Sequence, residues 1–593
     1  MSSRASLPGR VTGACVLGGL LTFQLAVQPG WCDHPPASHG RGGAVASSAP
    51  AATAAGLEIL KQGGNAADAA VAVALALAVV FPEAGNLGGG GFAVVRFGPR
   101  VEALDFREVA PAAARADMFL DQRGEPVPQA SLVGPLAAGV PGSPAGLWEL
   151  HRRHGALPWA RVAAPAVRLA EDGFVLEELT AERLAAAAGL LARFPETAAV
   201  WLPGGVPYAP GARVRLPALA ATLRAYAEAG PAAITEGRLA EAVEAASRRH
   251  GGLLTARDLA DYRPQWRSPV RFEAFGWSLA SMPLPSSGGI ILAQTCGLLD
   301  RLGWAAKPRS GADRAHLLVE SFRRAFADRF LLGDPAATRA DAPQLLAAEW
   351  LDRRAAAISL ARATPSAEVR PWPGDAPEEP GETTHLAVID GNGNAVSLTT
   401  TLNGSLGCGL LVPETGFLLN NEMDDFAVAP GRANELFELV QGEANLVRPG
   451  HRMLSSMTPT LAWRGDEVVA LGGRGGALIP TSTLQVLLNL VVDGDPLQAA
   501  VDRPRVHHQW LPDELRAEPD ALAPETRAEL ARRGHRVVVR EKLGGVAAAR
   551  RRADGMLEAA VDSRLPGAAA VLEPAPGSLA PALQPAAAGP HGG

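Results

Sequence analysis

The sequence predicts a mixed α+β fold with largely antiparallel sheets. Two features carry that prediction: strands that come in pairs joined by tight turns, and helical runs apolar enough to need covering layers. The first such run is Ala69–Phe81 (AAVAVALALAVVF), uncharged on every face and ended by Pro82, so it reads as a buried core helix. The Gly-rich stretch Gly85–Phe97 follows. It has no Lys-Ser/Thr pair and leads into a strand, which argues against a phosphate loop and for close backbone packing. Arg161–Ala170, Ala181–Phe194 and Pro217–Ala229 read as helices, the last with Pro at a first helical position, where no N–H is needed. Ala315–Phe330 is amphipathic, and Arg323, Arg324, Asp328 and Arg329 are expected on a solvated or salt-bridged face. Thr364–Glu382 carries five prolines among acidic residues and predicts an exposed irregular loop. A hairpin follows it directly, with Thr383–Ile389 and Ala395–Leu402 joined by the turn Asp390–Asn394. A second hairpin pairs Thr460–Trp463 with Glu467–Leu471, and a helix over Thr481–Val492 follows the glycines of 472–476. The tail from about Glu573 is rich in Ala, Pro and Gly and is expected to be disordered.

Composition narrows the function classes. With 593 residues, 47% hydrophobic and 20% charged, the chain can bury a large core. A net charge of −6 argues against a nucleic-acid partner. Cys15, Cys32, Cys296 and Cys408 form no CxxC and no zinc spacing, so a disulfide-stapled fold is not expected, and pairing of Cys296 with Cys408 stays open. Arg4 and Arg10 precede an apolar run over Val11–Val27, and residues 1–40 read as a signal peptide and variable leader; an uncleaved anchor is the other reading. That leader predicts secretion across the membrane, to the periplasm. His507-His508 raises the question of a metal, but adjacent strand residues face opposite ways and no Cys or carboxylate partner stands at ligand spacing, which favours packing.

The junction Glu382–Thr383 carries the chemistry. An exposed Pro-rich loop ends at two threonines that open a buried strand. Cut there, the chain would give Thr383 both a hydroxyl nucleophile and an α-amine of pKa about 7.7–8.0, close to where a general base is most useful. Without more context, Thr-Thr at a strand start is only β-propensity.

The surrounding motifs supply that context. Thr383-Thr384-His385, TTTLNGSLG (Thr399–Gly407), GFLLNNEMDDF (Gly416–Phe426), LSSMTPT (Leu454–Thr460) and Gly475-Gly476 resemble the γ-glutamyltransferases. So do GGNAADAAVA (Gly63–Ala72), GGGGF (Gly88–Phe92), DFREVAP (Asp105–Pro111), PLPSSGG (Pro283–Gly289), ESFRRAFADR (Glu320–Arg329) and RPRVHHQWLPDEL (Arg503–Leu515), in the family's order from about Arg41 to Ala570. The resemblance implies an N-terminal-nucleophile hydrolase, an αββα sandwich built jointly by two subunits cut from one precursor. These would be a large one over 41–382 and a small one over 383–593. It implies Thr383 as nucleophile, Thr401 as the hydroxyl orienting it, and Gly475 and Gly476 as oxyanion donors. It further implies Arg107, Ser455 and Ser456 on the substrate α-carboxylate, and Asn403, Glu422 and Asp425 on its α-ammonium. The implied substrates are glutathione and related γ-glutamyl compounds, with water, amino acids or peptides as acceptors. No cofactor or metal is implied.

The chain also departs from the family pattern. Gly473-Arg474 stands where Ser/Thr-Pro is usual, Ala477-Leu478 where a Ser-Arg pair often follows, and His451-Arg452-Met453 where Lys-Arg-Pro is common. Arg474 is expected either to bear on donor and acceptor choice or to reach solvent or a carboxylate. The segment Ala427–Gly450 has the length of the family's lid loop, with Phe437 near the usual aromatic position. Two alternatives remain: an acylase of the same fold for another carboxylated acyl group, and a secreted binding protein with a dead site. The ammonium-binding set argues against the first, and the intact Thr383, Thr401 and glycine pair against the second.

Overall fold

Two seven-stranded sheets lie face to face, and every pairing within them is antiparallel. They come from a computed structural model that describes residues 37–338, 340, 342–371, 383–432, 434–436 and 441–573. The expectations for the leader with Cys15 and Cys32, for Glu382, for Phe437 and for the chain beyond Glu573 lie outside the described residues. One sheet runs Ser38–Gly40, Leu557–Val561, Gly545–Arg551, Glu467–Arg474, Thr460–Arg464, Trp277–Ser281, Val270–Ala274. The other runs Ala568–Leu572, Gly43–Ser47, Thr384–Asp390, Ala395–Thr401, Gly90–Phe97, Arg100–Phe106, Gln265–Arg267. Each sheet takes strands from both sides of residue 382, so neither stretch could close a sheet alone.

Strand alternation sorts the layers. In Thr384–Asp390, Ala387 and Ile389 point into the core between the sheets, while Leu386 and Val388 point into the helical layer beyond. That outer layer contains Pro50–Lys61, Ala66–Val80, Trp159–Asp172 and Pro217–Ala229. On the far face of the other sheet lie Gly288–Arg301, Ala312–Arg329 and Leu478–Val491. The αββα sandwich is therefore present, with both predicted hairpins inside it. Between the sheets, contact is close enough to require glycine. A Cβ on Gly472 would stand 2.4 Å from Cε1 of His385.

The apolar helix starts from a capping box at Asn65 and Asp68, and its first N–H, Ala66, also reaches Asp390 Oδ2 at 3.1 Å in the hairpin turn. Ala181–Phe194 is not one helix but two, Glu178–Ala186 and Ala188–Leu191. Gly189 weakens the second, and Pro195 holds Phe194 extended. Thr364–Glu382 departs from expectation in its described part. Ser366 is buried, with its N–H on Asp513 Oδ2 at 2.7 Å, and Val369 and Pro371 are buried too.

Of the two expectations for the charges of Ala312–Arg329, the solvated face is overturned and the salt-bridged one holds for Arg323, Arg324 and Asp328. Glu320, Arg323, Arg324, Asp328 and Arg329 are all buried, because segments around 354–371 and 505–513 cover the helix. Their charges are paired instead: Glu320 takes Arg323 Nε at 3.1 Å and Arg324 Nη1 at 2.7 Å, and Asp328 takes Arg354. Burial raises the Glu320 pKa, but the two arginines outweigh it and bring it down to about 2 from an ordinary 4.5. A depressed carboxyl pKa contributes stability that is complete above about 4.5 and is lost as pH falls towards 2. Glu320→Gln should therefore flatten the stability curve over that acid range, as read by urea unfolding at stepped pH. An unchanged slope would show that Glu320 plays no part in acid unfolding.

Candidate active site

The first hairpin places the two threonines. Thr384 pairs with Thr400 and His385 with Thr399, so the register carries Thr383 opposite Thr401. Thr384 is pinned from behind by Ser48 Oγ at 2.8 Å from its Oγ1. Past Thr401 the chain turns sharply at Asn403, whose φ of +74° is a left-handed value that Asn tolerates. Asn403 N donates to Thr401 Oγ1 at 2.7 Å, which restrains that hydroxyl from the turn side.

A small cleft opens over this hairpin end, lined by Thr383, Thr401, Asn403, Arg107, Asp425, Ser455, Ser456 and Gly476. Arg107 follows the strand Arg100–Phe106. Its Nη1 lies 2.5 Å from Glu422 Oε2, its Nη2 bonds Asp425, and its Nε donates to Met453 O at 3.4 Å. Glu422 stands behind the cavity wall. The turn Glu422–Asp425 is held from the segment 427–450, where Gln441 and Asn445 side chains donate to Asp425 O at 2.8 and 2.7 Å. Asn445 Oδ1 accepts from Leu454 N at 2.9 Å, which couples that turn to the serine pair. Ser455 Oγ accepts from Met457 N at 3.1 Å.

Gly475 stands just before Gly476, which also lines this cavity. Their φ values of +116° and +56° suit glycine, and the helix Leu478–Val491 begins two residues on. Leu478 N and Ile479 N bond back to the two glycine carbonyls at 3.0 Å each. Among the described residues, no backbone acceptor takes the glycine N–H groups. Together with the helix N-terminus they can stabilise a developing oxyanion.

Sequence reasoning missed one acid at the site. Glu108 is fully buried, 3.7 Å from Arg107 Nη1, although it stands next to Arg107 in the quoted DFREVAP motif. It also missed Ser287, whose N and Oγ both reach Ser455 O at 2.8 Å, and Arg329, which donates to Ser287 Oγ at 3.0 Å. Their signals were the PLPSSGG and ESFRRAFADR matches. Three carboxyl groups therefore surround one guanidinium. Burial raises all three: Glu108 to about 8, Glu422 well above its ordinary range, and Asp425 upward, each opposed by Arg107. Burial also disfavours the Arg107 cation, but the three acids prevail and raise its pKa. Burial thus favours neutral forms of these acids, and a cation brought beside them would favour their ionised forms instead.

The departures sort differently. Ala477 lines the cavity. Arg452 pairs with Asp105 at 3.2 Å and donates to Arg263 O, a scaffold role. Arg474 meets neither the cavity nor solvent: it is 8% exposed and donates to Pro566 O. His507 bonds Thr481 and Gln509, and His508 accepts from Trp510 N, so both rings pack into the core. Cys296 and Cys408 are free and buried in different core clusters.

The chain is similar to known proteins over most of its length. The family model described as gamma-glutamyltranspeptidase matches residues 52–572. The chain is 39% identical over 570 residues to the glutathione hydrolase proenzyme of Escherichia coli (strain K12), covering 94% of this chain and 97% of that protein. It is 42% identical over 494 residues to the glutathione hydrolase proenzyme of Pseudomonas aeruginosa (strain PAO1), covering 82% and 86%. Among solved structures, the cephalosporin acylase from Bacillus halodurans superposes with a TM-score of 0.82 at 28% identity, over 93% of this chain and 100% of that one.

Proposed function

This chain belongs to the gamma-glutamyltranspeptidase family and is an enzyme of the glutathione hydrolase type, and from that premise we propose how its residues carry the reaction. The precursor cuts itself at Glu382–Thr383. Thr383 Oγ attacks the Glu382 carbonyl, the amide C–N bond breaks, and the acyl group passes from nitrogen to oxygen. Water then hydrolyses that ester, freeing the Glu382 carboxyl and the Thr383 α-amine.

In turnover, the freed amine takes the Thr383 hydroxyl proton as the oxygen attacks the γ-carbonyl of the donor. The Gly475 and Gly476 N–H groups hold the oxyanion. Its collapse expels the amine product, protonated by the Thr383 ammonium, and leaves a γ-glutamyl ester on Thr383. Water, or the amine of an amino acid or peptide, attacks that ester and restores the hydroxyl. Arg107, Ser455 and Ser456 take the donor's α-carboxylate. Asn403, Glu422 and Asp425 take its α-ammonium, which has only hydrogens to give and needs acceptors.

One observation carries the choice of a glutamyl over a glutaryl donor: Glu108, Glu422 and Asp425 crowd around Arg107 at the cavity that Thr383 lines. Both groups carry one carboxylate, but only the glutamyl group brings an ammonium, which needs acceptors such as these acids supply. The similarity to a cephalosporin acylase is the reason to test an acylase reading beside the glutamyl one. The test is intact mass and denaturing electrophoresis of the purified protein, with turnover of γ-glutamyl and glutaryl anilides side by side. Two fragments and preference for the γ-glutamyl anilide are expected. A single chain, or faster glutaryl turnover, would overturn the reading. We further propose that residues 1–40 direct export to the periplasm. Cell fractionation and N-terminal sequencing of the large fragment test this, and a cytoplasmic product starting at Met1 would refute it.

A further inference from the structure

We infer that Arg474 is a positioning residue for the oxyanion turn, bracing Gly475-Gly476 from the space between the sheets; the inference rests on the reaction proposed above. Arg474 is the last residue of the strand Glu467–Arg474, and its pairing with Gly545 is the final rung of that ladder. Along this strand Ala470 faces the other sheet and Leu471 faces the helices, so Gly472 and Arg474 also face inward. The next two residues are the glycines, which have no side chains to hold their own turn. Its orientation is set by what grips the chain before it and by the helix that begins after it.

The grip on Arg474 comes from three directions. Nη2 donates to Pro566 O at 3.1 Å, and the guanidinium lies 5.5 Å from the Phe81 ring centroid, within cation–π reach. Its charge also acts on Glu83, a fully buried acid that accepts from Thr180 Oγ1 at 3.1 Å. Phe81 and Glu83 follow the apolar core helix, and Glu83 O accepts from Leu406 N at 3.1 Å in the loop just beyond Asn403. The same side chain borders a second cleft together with Ser48 and His385, the latter in the strand that follows Thr383. Arg474 thus ties the oxyanion turn to the elements that place Thr401 and Asn403, without touching the cavity that Thr383 lines. A residue so placed should affect how well the donors meet the transition state, not how the free amino-acid end is held.

The test uses the processed full-length enzyme with Arg474→Gln and Arg474→Lys, γ-glutamyl anilide kinetics, and the inhibition constant of L-glutamate. For Arg474→Gln we expect kcat to fall about tenfold, part of the roughly 10²–10³-fold lost when an oxyanion donor is removed outright. KM and the glutamate constant should stay within about twofold. Arg474→Lys, keeping the charge and a donor, should lie between, about threefold below wild type. A kcat within twofold of wild type in Arg474→Gln overturns the inference even if Tm falls. So does a rise in KM and in the glutamate constant at constant kcat. If only Arg474→Lys matures, its threefold loss at constant KM supports the inference and a wild-type kcat overturns it. A wild-type enzyme inactive on the anilide would instead refute the proposed reaction.

Discussion

Thr383→Ala is expected to remain one uncut chain with no measurable turnover of a γ-glutamyl anilide. Both effects follow from the same atom. The acyl shift needs Oγ to attack the Glu382 carbonyl, and turnover needs it again to attack the donor. Alanine supplies no oxygen for either, and without the cut there is no α-amine to act as base. Folding should survive, since Thr383 precedes the strand Thr384–Asp390 and the ladder from Thr384 onward is unchanged. Thr383→Ser, which keeps an oxygen, should still be cut. In the wild type, Edman sequencing of the smaller fragment should read Thr-Thr-His-Leu. A different start, or normal cleavage in the alanine variant, would rule out Thr383 as the processing nucleophile.

What the sequence made legible follows from how local each signal is. The catalytic hairpin could be read because its strands and its Asp-Gly-Asn-Gly-Asn turn are written within 20 residues. The core helix could be read because nothing polar interrupts it. Site residues such as Asn403 and Ser456 came from motif resemblance, not from pattern. The charged helix misled because a helical pattern shows which residues share a face and not what covers it. Arg323 and Arg324 are buried by chain that lies far along the sequence, up to Asp513. The direction of Arg474 was hidden for the same reason: strand alternation gives a face, and only the second sheet shows that the face is interior. Glu108 was in plain view, but nothing local distinguishes a buried acid at a site from an ordinary neighbour of Arg107.

Arg107→Lys should process normally and lose most of its catalytic efficiency. Processing involves no substrate, so the α-carboxylate site has no role in it. The guanidinium fork is divided between Glu422 and Asp425, with Nε turned to Met453 O. Binding a γ-glutamyl donor is then an exchange of partners: the donor's ammonium takes over the two acids, and its carboxylate takes the fork they release. A lysine keeps the charge but presents a point donor, so it cannot pair two oxygens in a plane. Loss of a buried bidentate contact should cost roughly 2–4 kcal/mol of transition-state binding, or about 30- to 1,000-fold in kcat/KM. Because the contact lies at the amino-acid end and not at the γ-carbonyl, most of the loss should appear in KM. Steady-state kinetics of the processed variant on the γ-glutamyl anilide, with glutamate inhibition measured in parallel, tests this. A kcat/KM near wild type would leave Arg107 as a charge that merely neutralises its acidic neighbours.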